Sequence, residues 1–190
     1  MPITLARQRL KRLWQKGIGL PGDNDKILDV ARRLRDHVDA PVLGGIAVIL
    51  HGYARTTTDL DFYTPDRRVT DEQLRAGGAV WDSKHREHVL GAVRIHTVTP
   101  EDAGHVVANT SVIQGVRVVS LKDLIAIKLR CGLGNLNRSK DLGDVVELIR
   151  IIPLDKRFAG KLPQDLRADY KRLVDAVRAG ERERRGKPRF

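Results

Sequence analysis

Apolar positions recur at helical or strand spacing along most of the chain, and polar turns separate the segments. Leu5, Leu10, Leu13 and Trp14 form a partial stripe among arginines and lysines, which predicts a short basic helix over 4–16. Pro21-Gly22-Asp23-Asn24 interrupts the pattern, and Asp23 or Asn24 is placed to cap the next helix. Ile27, Val30, Ala31, Leu34 and Val38 mark that helix as core-facing. Val42-Leu43 reads as a first strand, Ile46 to His51 as a buried helix of two turns, and Asp59 to Tyr63 as a second strand. A short helix is expected to open at Thr70-Asp71-Glu72 and to stop at Gly77-Gly78; Trp81 to Glu87 reads as a polar run. Val93 to Val98 alternates as a strand, and Val112 to Val119 reads as a hairpin closing on Gln114-Gly115. Ser120 caps an apolar helix through Leu129, Gly132 to Asn137 forms a loop, and a further helix opens around Arg138 to Asp144. Pro163 to Ala179 predicts one more amphipathic helix, and Arg182 to Arg189 a charged, mobile tail.

The chemistry concentrates between Gly44 and Tyr63. Period two in a strand puts Asp59 and Asp61 on one face, with Leu60 and Phe62 on the other. Two adjacent carboxylates repel each other, and a divalent cation relieves that repulsion; hard oxygen ligands suit magnesium. Gly44 and Gly45 lack a Cβ, so their backbone can approach a phosphate closely. Arg55 can bind a triphosphate as a fork of donors, or pair with Asp59 or the preceding helix end. His51 reads as a satisfied polar residue at a helix end rather than a base.

Gly44-Gly45 followed by Asp59-Leu60-Asp61 resembles the signature of the DNA polymerase beta nucleotidyltransferase superfamily. With Arg55 and Thr58 ahead of the aspartates, it is similar to the nucleotidyltransferases of the abortive-infection toxin type. Those pair this motif with a later helical one, a lysine and then Arg-x-Lys-Asp; here stand Lys128 and Arg138-Ser139-Lys140-Asp141. The resemblance covers roughly positions 40 to 150. It implies a mixed α/β fold, a small nucleotidyltransferase-type sheet flanked by helices with a helical C-terminal part. It also implies metal-dependent transfer of a nucleotidyl group from a nucleoside triphosphate to an acceptor hydroxyl. Asp59 and Asp61 would hold magnesium or manganese. Gly44, Gly45, Arg55, Thr58, Arg138 and Lys140 would bind the nucleotide, and Lys128 and Asp141 would orient nucleotide or acceptor. A toxin role opposed by an antitoxin protein comes from the same analogy.

One position departs from the family pattern. The strand over 93–98 often supplies a third carboxylate in that family, and here the aligned polar position is His96. A neutral imidazole can accept a proton from a hydroxyl nucleophile but is a poor magnesium ligand. Glu101 and Asp102 could compensate if the backbone folds back. A catalytically silent domain that binds RNA or a protein is the other reading this residue allows. Lys128 falls on or near the apolar face of its helix, where an unpaired ammonium is costly, so it needs a carboxylate or a phosphate. Asp141 and Asp144, three apart, are salt-bridge partners for Lys128 and Arg138, or else edge the cleft.

Bulk properties narrow the partners. At 190 residues the chain can build a core without disulfides, as an expected domain over 1–152 and a helix with basic tail over 153–190. The net charge of +11, concentrated at the two ends, favours a polyanionic partner such as an RNA acceptor, for instance a tRNA end. Cys131 is the one cysteine, which excludes a disulfide framework and a cysteine zinc site. His85 and His88 lack a third zinc ligand at a convincing spacing. No apolar run reaches membrane-spanning length, so a cytoplasmic setting is the expectation.

Overall fold

The computed structural model describes residues 22–186, so the basic helix expected over 4–16 and positions 187–190 of the tail lie outside the described residues. The architecture is mixed α/β, with a seven-stranded mixed sheet, helices around it and a helical C-terminal part. The chain packs as two compact units, one through Leu124 and one from Ile125.

In the first unit, α1 (Gly22–Leu34) buries Asn24, Ile27, Leu28, Ala31 and Leu34, the one-sided stripe its periodicity predicts. Strand β1 (Val42–Leu43) runs straight into α2 (Gly44–Leu50), which is buried from Gly45 onward. Strand β2 (Asp59–Tyr63) keeps Leu60 and Phe62 inside and leaves Asp59 and Asp61 partly open, so the period-two reading holds. Helix α3 (Arg67–Ala76) begins three residues before the expected Thr70, because Asp66 accepts from the Val69 amide and caps it there.

The run read as merely polar is a hairpin. β3 (Val80–Asp82) and β4 (Glu87–Leu90) pair antiparallel, and β4 pairs in turn with β5 (Val93–Val98). A two-residue Gly91-Ala92 connection joins β4 to β5, with Gly91 at φ 63°. After the short helix α4 (Pro100–Ala103), β6 (Thr110–Ile113) and β7 (Val116–Val119) form the expected hairpin. Its turn holds Gln114 at φ 54° and Gly115 at φ 78°, the double positive φ of a tight hairpin turn.

The sheet order is β3-β4-β5-β2-β1-β7-β6. β2 and β5 run parallel at its centre, as do β1 and β7, while the other pairs are antiparallel. Ser120 caps α5 (Leu121–Gly134), its hydroxyl accepting from the Asp123 amide.

The second unit is helical. Helix α5 runs through Gly134, so the expected loop from Gly132 shrinks to Asn135 and a single 3-10 turn, Leu136–Arg138. A Cβ at Gly132 would come 2.6 Å from the Leu142 side chain, which shows why this helical position carries a glycine. Helix α6 (Ser139–Ile151) comes next, then 3-10 turns over 156–161 and 164–166, then α7 (Arg167–Gly186). Tyr170, Val174 and Val177 are buried one helical turn apart, and α7 extends over positions 182–186, where a mobile tail was expected. Among the described residues no helix is long and apolar enough to cross a membrane.

The β6–β7 turn yields a test. Gln114 carries a steric penalty for its left-handed φ that asparagine largely avoids. Gln114→Asn is expected to raise stability by roughly 1 kcal/mol, the low end of the left-handed penalty, read as a higher urea midpoint at unchanged slope.

Candidate active site

The site is built on the parallel pairing of β2 and β5. Asp59 stands opposite Arg94 and Asp61 opposite His96, so all four side chains leave the same face of the sheet. Nδ1 of His96 lies 3.4 Å from Oδ1 of Asp61 and 3.9 Å from Oδ2 of Asp59. On the other side of the ring, Nε2 lies 2.8 Å from Oε2 of Glu87. Glu87 sits at the start of β4 and is only 8% exposed.

Three carboxylates around one imidazole hold it as a cation. The Asp61 hydrogen bond, then Glu87 and the charge of Asp59, overcome burial and raise the pKa of His96 from 6.5 to about 9. The imidazolium therefore neutralises part of the acidic cluster in the metal-free protein.

The glycine pair fits closely around this cluster. Gly44 has φ 65°, and a Cβ on it would lie 1.8 Å from Oδ2 of Asp61. Only glycine leaves room for the carboxylate there. A Cβ on Gly45 would meet Thr57 Oγ1 at 2.3 Å and the Arg55 guanidinium at 3.0 Å. The expected cation thus lies over the glycine pair. Thr57 donates its hydroxyl to Oδ1 of Asp59 at 3.1 Å, and buried Asn24 clamps the loop from below. Its side chain accepts from the Thr57 amide at 3.0 Å and donates to the Arg55 carbonyl at 2.6 Å. Thr58 is exposed and accepts from Arg94 at 3.0 Å.

Asp59, Asp61 and His96 together form a group able to hold a metal ion, since one donor atom of each lies within 4.8 Å of the others. Glu101 and Asp102 do not join it. Asp102 caps α4 through Thr99 and pairs with Arg67 at 2.6 Å, while Glu101 faces solvent. His51 donates to the Val119 carbonyl at 2.9 Å, and burial lowers its pKa, which fits the structural role expected of it. His85 sits in the hairpin turn beside Asp82 and His88 is buried on β4 near Asp71, each with its own carboxylate.

The residues of the later motif meet in the second unit. Lys128, buried on α5, reaches Asp141 at 2.6 Å and Asp144 at 2.7 Å. Arg138 binds the other oxygen of Asp141 at 2.8 Å. The ammonium thus has carboxylate partners, and the i, i+3 spacing of the two aspartates delivers both to it. Lys140 points outward and is exposed. Cys131 is half-buried, and burial pushes its thiol pKa up, away from nucleophilic use.

Glu87, Arg94 and Asn24 are site residues that the sequence pattern did not single out. The signal for Glu87 was available: counting back across the Gly91-Ala92 turn pairs positions 89 with 94 and sets 87 beside 96.

No protein-family model matches the chain, and no curated protein does. Among solved structures it is similar to an antigenic nucleotidyltransferase-like protein from Paracoccidioides brasiliensis, at 18% identity and a TM-score of 0.47, over 85% of this chain and 88% of that one.

Two measurements bear on these clusters. His96 has a folded pKa above its unfolded value, so its stabilising contribution is complete below about 6.5 and fades as pH rises through about 9. In metal-free protein, the His96 ring resonances are expected to titrate near 9, and His96→Gln to remove the matching loss of stability between those values. Lys128→Met removes the ammonium that two buried carboxylates share and is expected to cost about 3–5 kcal/mol, measured by urea unfolding.

Proposed function

We propose that the chain is a metal-dependent nucleotidyltransferase that moves a nucleotidyl group from a nucleoside triphosphate to an acceptor hydroxyl. The observation that carries this reading is the Asp59–Asp61–His96 donor group set against a glycine pair whose missing Cβ atoms leave room for it. Asp59 and Asp61, with His96, would hold the ion. Once bound, it would supply Lewis-acid polarisation of the phosphoryl oxygens and neutralise charge as the leaving group departs.

The chain's own residues account for the remaining tasks. Gly44 and Gly45 give Asp61 and Thr57 the room to stand at the site, and the Arg55 guanidinium over Gly45 would offset the charge of a triphosphate. Arg94, exposed beside Asp59, adds a second cation at the same face. The acceptor hydroxyl would lose its proton to water as its oxygen forms a new bond to the α-phosphorus, while the bond from the α-phosphorus to the bridging oxygen breaks and pyrophosphate leaves. Both ring nitrogens of His96 already face carboxylates, so it serves as a ligand in preference to a base. The resemblance would also give Lys128, Arg138, Lys140 and Asp141 a place at the nucleotide or acceptor, around their own ion-pair cluster.

The net charge of +11 favours RNA as acceptor, and the resemblance adds a toxin role opposed by an antitoxin protein. A second reading has one specific support: an imidazolium already balances the two aspartates, as it would in a silent domain that binds RNA or protein.

Transfer of label from each α-labelled nucleoside triphosphate to total cell RNA, with magnesium or manganese, separates these readings. Labelling by the parent that vanishes in Asp61→Ala is the expected outcome. No labelling with any nucleotide, together with no metal-dependent nucleotide binding by calorimetry, would leave the silent domain. Growth arrest on induction that requires Asp61 would support the toxin role.

A further inference from the structure

We infer that Glu87 is a positioning residue that makes His96 a nitrogen ligand through Nδ1, so that the site takes a first-row transition-metal dication in preference to magnesium. The inference rests on the nucleotidyl-transfer reading only in placing one divalent ion at Asp59 and Asp61.

A carboxylate accepts and a ring N–H donates, so the 2.8 Å contact to Glu87 pairs with a proton on Nε2 of His96. Nδ1 is then the atom that faces Asp61 and Asp59, at 3.4 and 3.9 Å, and it is the one that gives up the imidazolium's other proton to solvent when an ion binds. Two ligands of a single ion bound about 2.1 Å from each can stand no more than about 4.2 Å apart. Both separations fall within that bound.

A carboxylate behind an imidazole that faces a metal is a recurrent arrangement, because the second hydrogen bond sets the tautomer, the ring orientation and the basicity of the ligand. Burial makes Glu87 suited to it. At 8% exposure its carboxylate has little water to bind, and Oε2 is aimed at the ring instead. The β4–β5 register holds the pair together across two strands rather than through a loop.

The donor set then decides the ion. Magnesium demands oxygen ligands in near-ideal octahedral geometry, whereas imidazole nitrogen suits the transition dications and binds them in the Irving–Williams order. An Asp–Asp–His set with a carboxylate behind the histidine is built for the second class.

The experiment uses the full chain, stripped of metal and loaded with Mn²⁺. Pulsed electron paramagnetic resonance reads ¹⁴N modulation from a bound imidazole, and titration of the free-Mn²⁺ signal with Mg²⁺ as competitor gives relative affinity. The parent is expected to show ¹⁴N modulation and to bind Mn²⁺ more tightly than Mg²⁺. His96→Asp should lose the modulation and narrow the gap between the two ions. Glu87→Ala should weaken Mn²⁺ binding about 10–100-fold. Glu87→Gln, whose amide oxygen still accepts from Nε2, should keep the modulation, with circular dichroism confirming that each variant is folded. If Glu87→Ala does not fold, the parent and the Glu87→Gln and His96→Asp variants still decide the question.

No ¹⁴N modulation in the parent, equal affinity for the two ions, or a folded Glu87→Ala that binds like the parent would overturn the inference. RNA labelling with magnesium and no nitrogen signal would overturn it while leaving the transfer reading intact. Nitrogen-coupled Mn²⁺ with no transfer from any nucleotide would do the reverse.

Discussion

Two carboxylates one residue apart on the same strand face repel each other, and much of the first unit is arranged around that repulsion. Asp59 and Asp61 cannot turn away, because Leu60 and Phe62 are committed to the core on the opposite face. Their surroundings therefore adapt to them. Gly44 gives up its Cβ where Asp61 needs the space, Thr57 donates to Asp59, and Asn24 fixes the loop that carries Thr57. The parallel β2–β5 pairing then brings His96 level with Asp61. A charge problem created by two neighbouring residues is answered by groups from four separate elements or loops.

The second unit meets a related problem from the opposite sign. Lys128 is buried on α5, and a lone ammonium there would lose its hydration with nothing to replace it. Asp141 and Asp144 supply the replacement from one face of α6, and Arg138 balances the second oxygen of Asp141. Such a cluster adds little net stability compared with apolar packing, yet breaking one member leaves uncompensated charge.

Strands with strong periodicity were legible from the residues: β2, β5 and the β6–β7 hairpin stand where their patterns put them, whereas α1 starts at Gly22, ahead of the expected cap at Asp23 or Asn24, and ends at Leu34, short of Val38. The errors fall where local signals compete. Thr70 looked like a cap, but Asp66 lies earlier and accepts the bond. Gly132 looked like a loop residue, but it sits in α5 because Leu142 fills the space a side chain would take. The β3–β4 hairpin was missed because its strands are short and its turn is rich in charge, which hides a period-two pattern.

The sequence by itself determined that Asp59 and Asp61 share a face, that a glycine pair precedes them, and that a histidine, His96, stands on a later alternating strand. These are local facts, set by the pleat of one strand and by residue identity. Only the tertiary structure decided that Arg94 joins the acidic face and that Lys128 finds two carboxylates. Each of those depends on the register between strands or the packing of one helix on another. Register is set by long-range pairing across intervening chain, so spacing within a single segment carries no record of it.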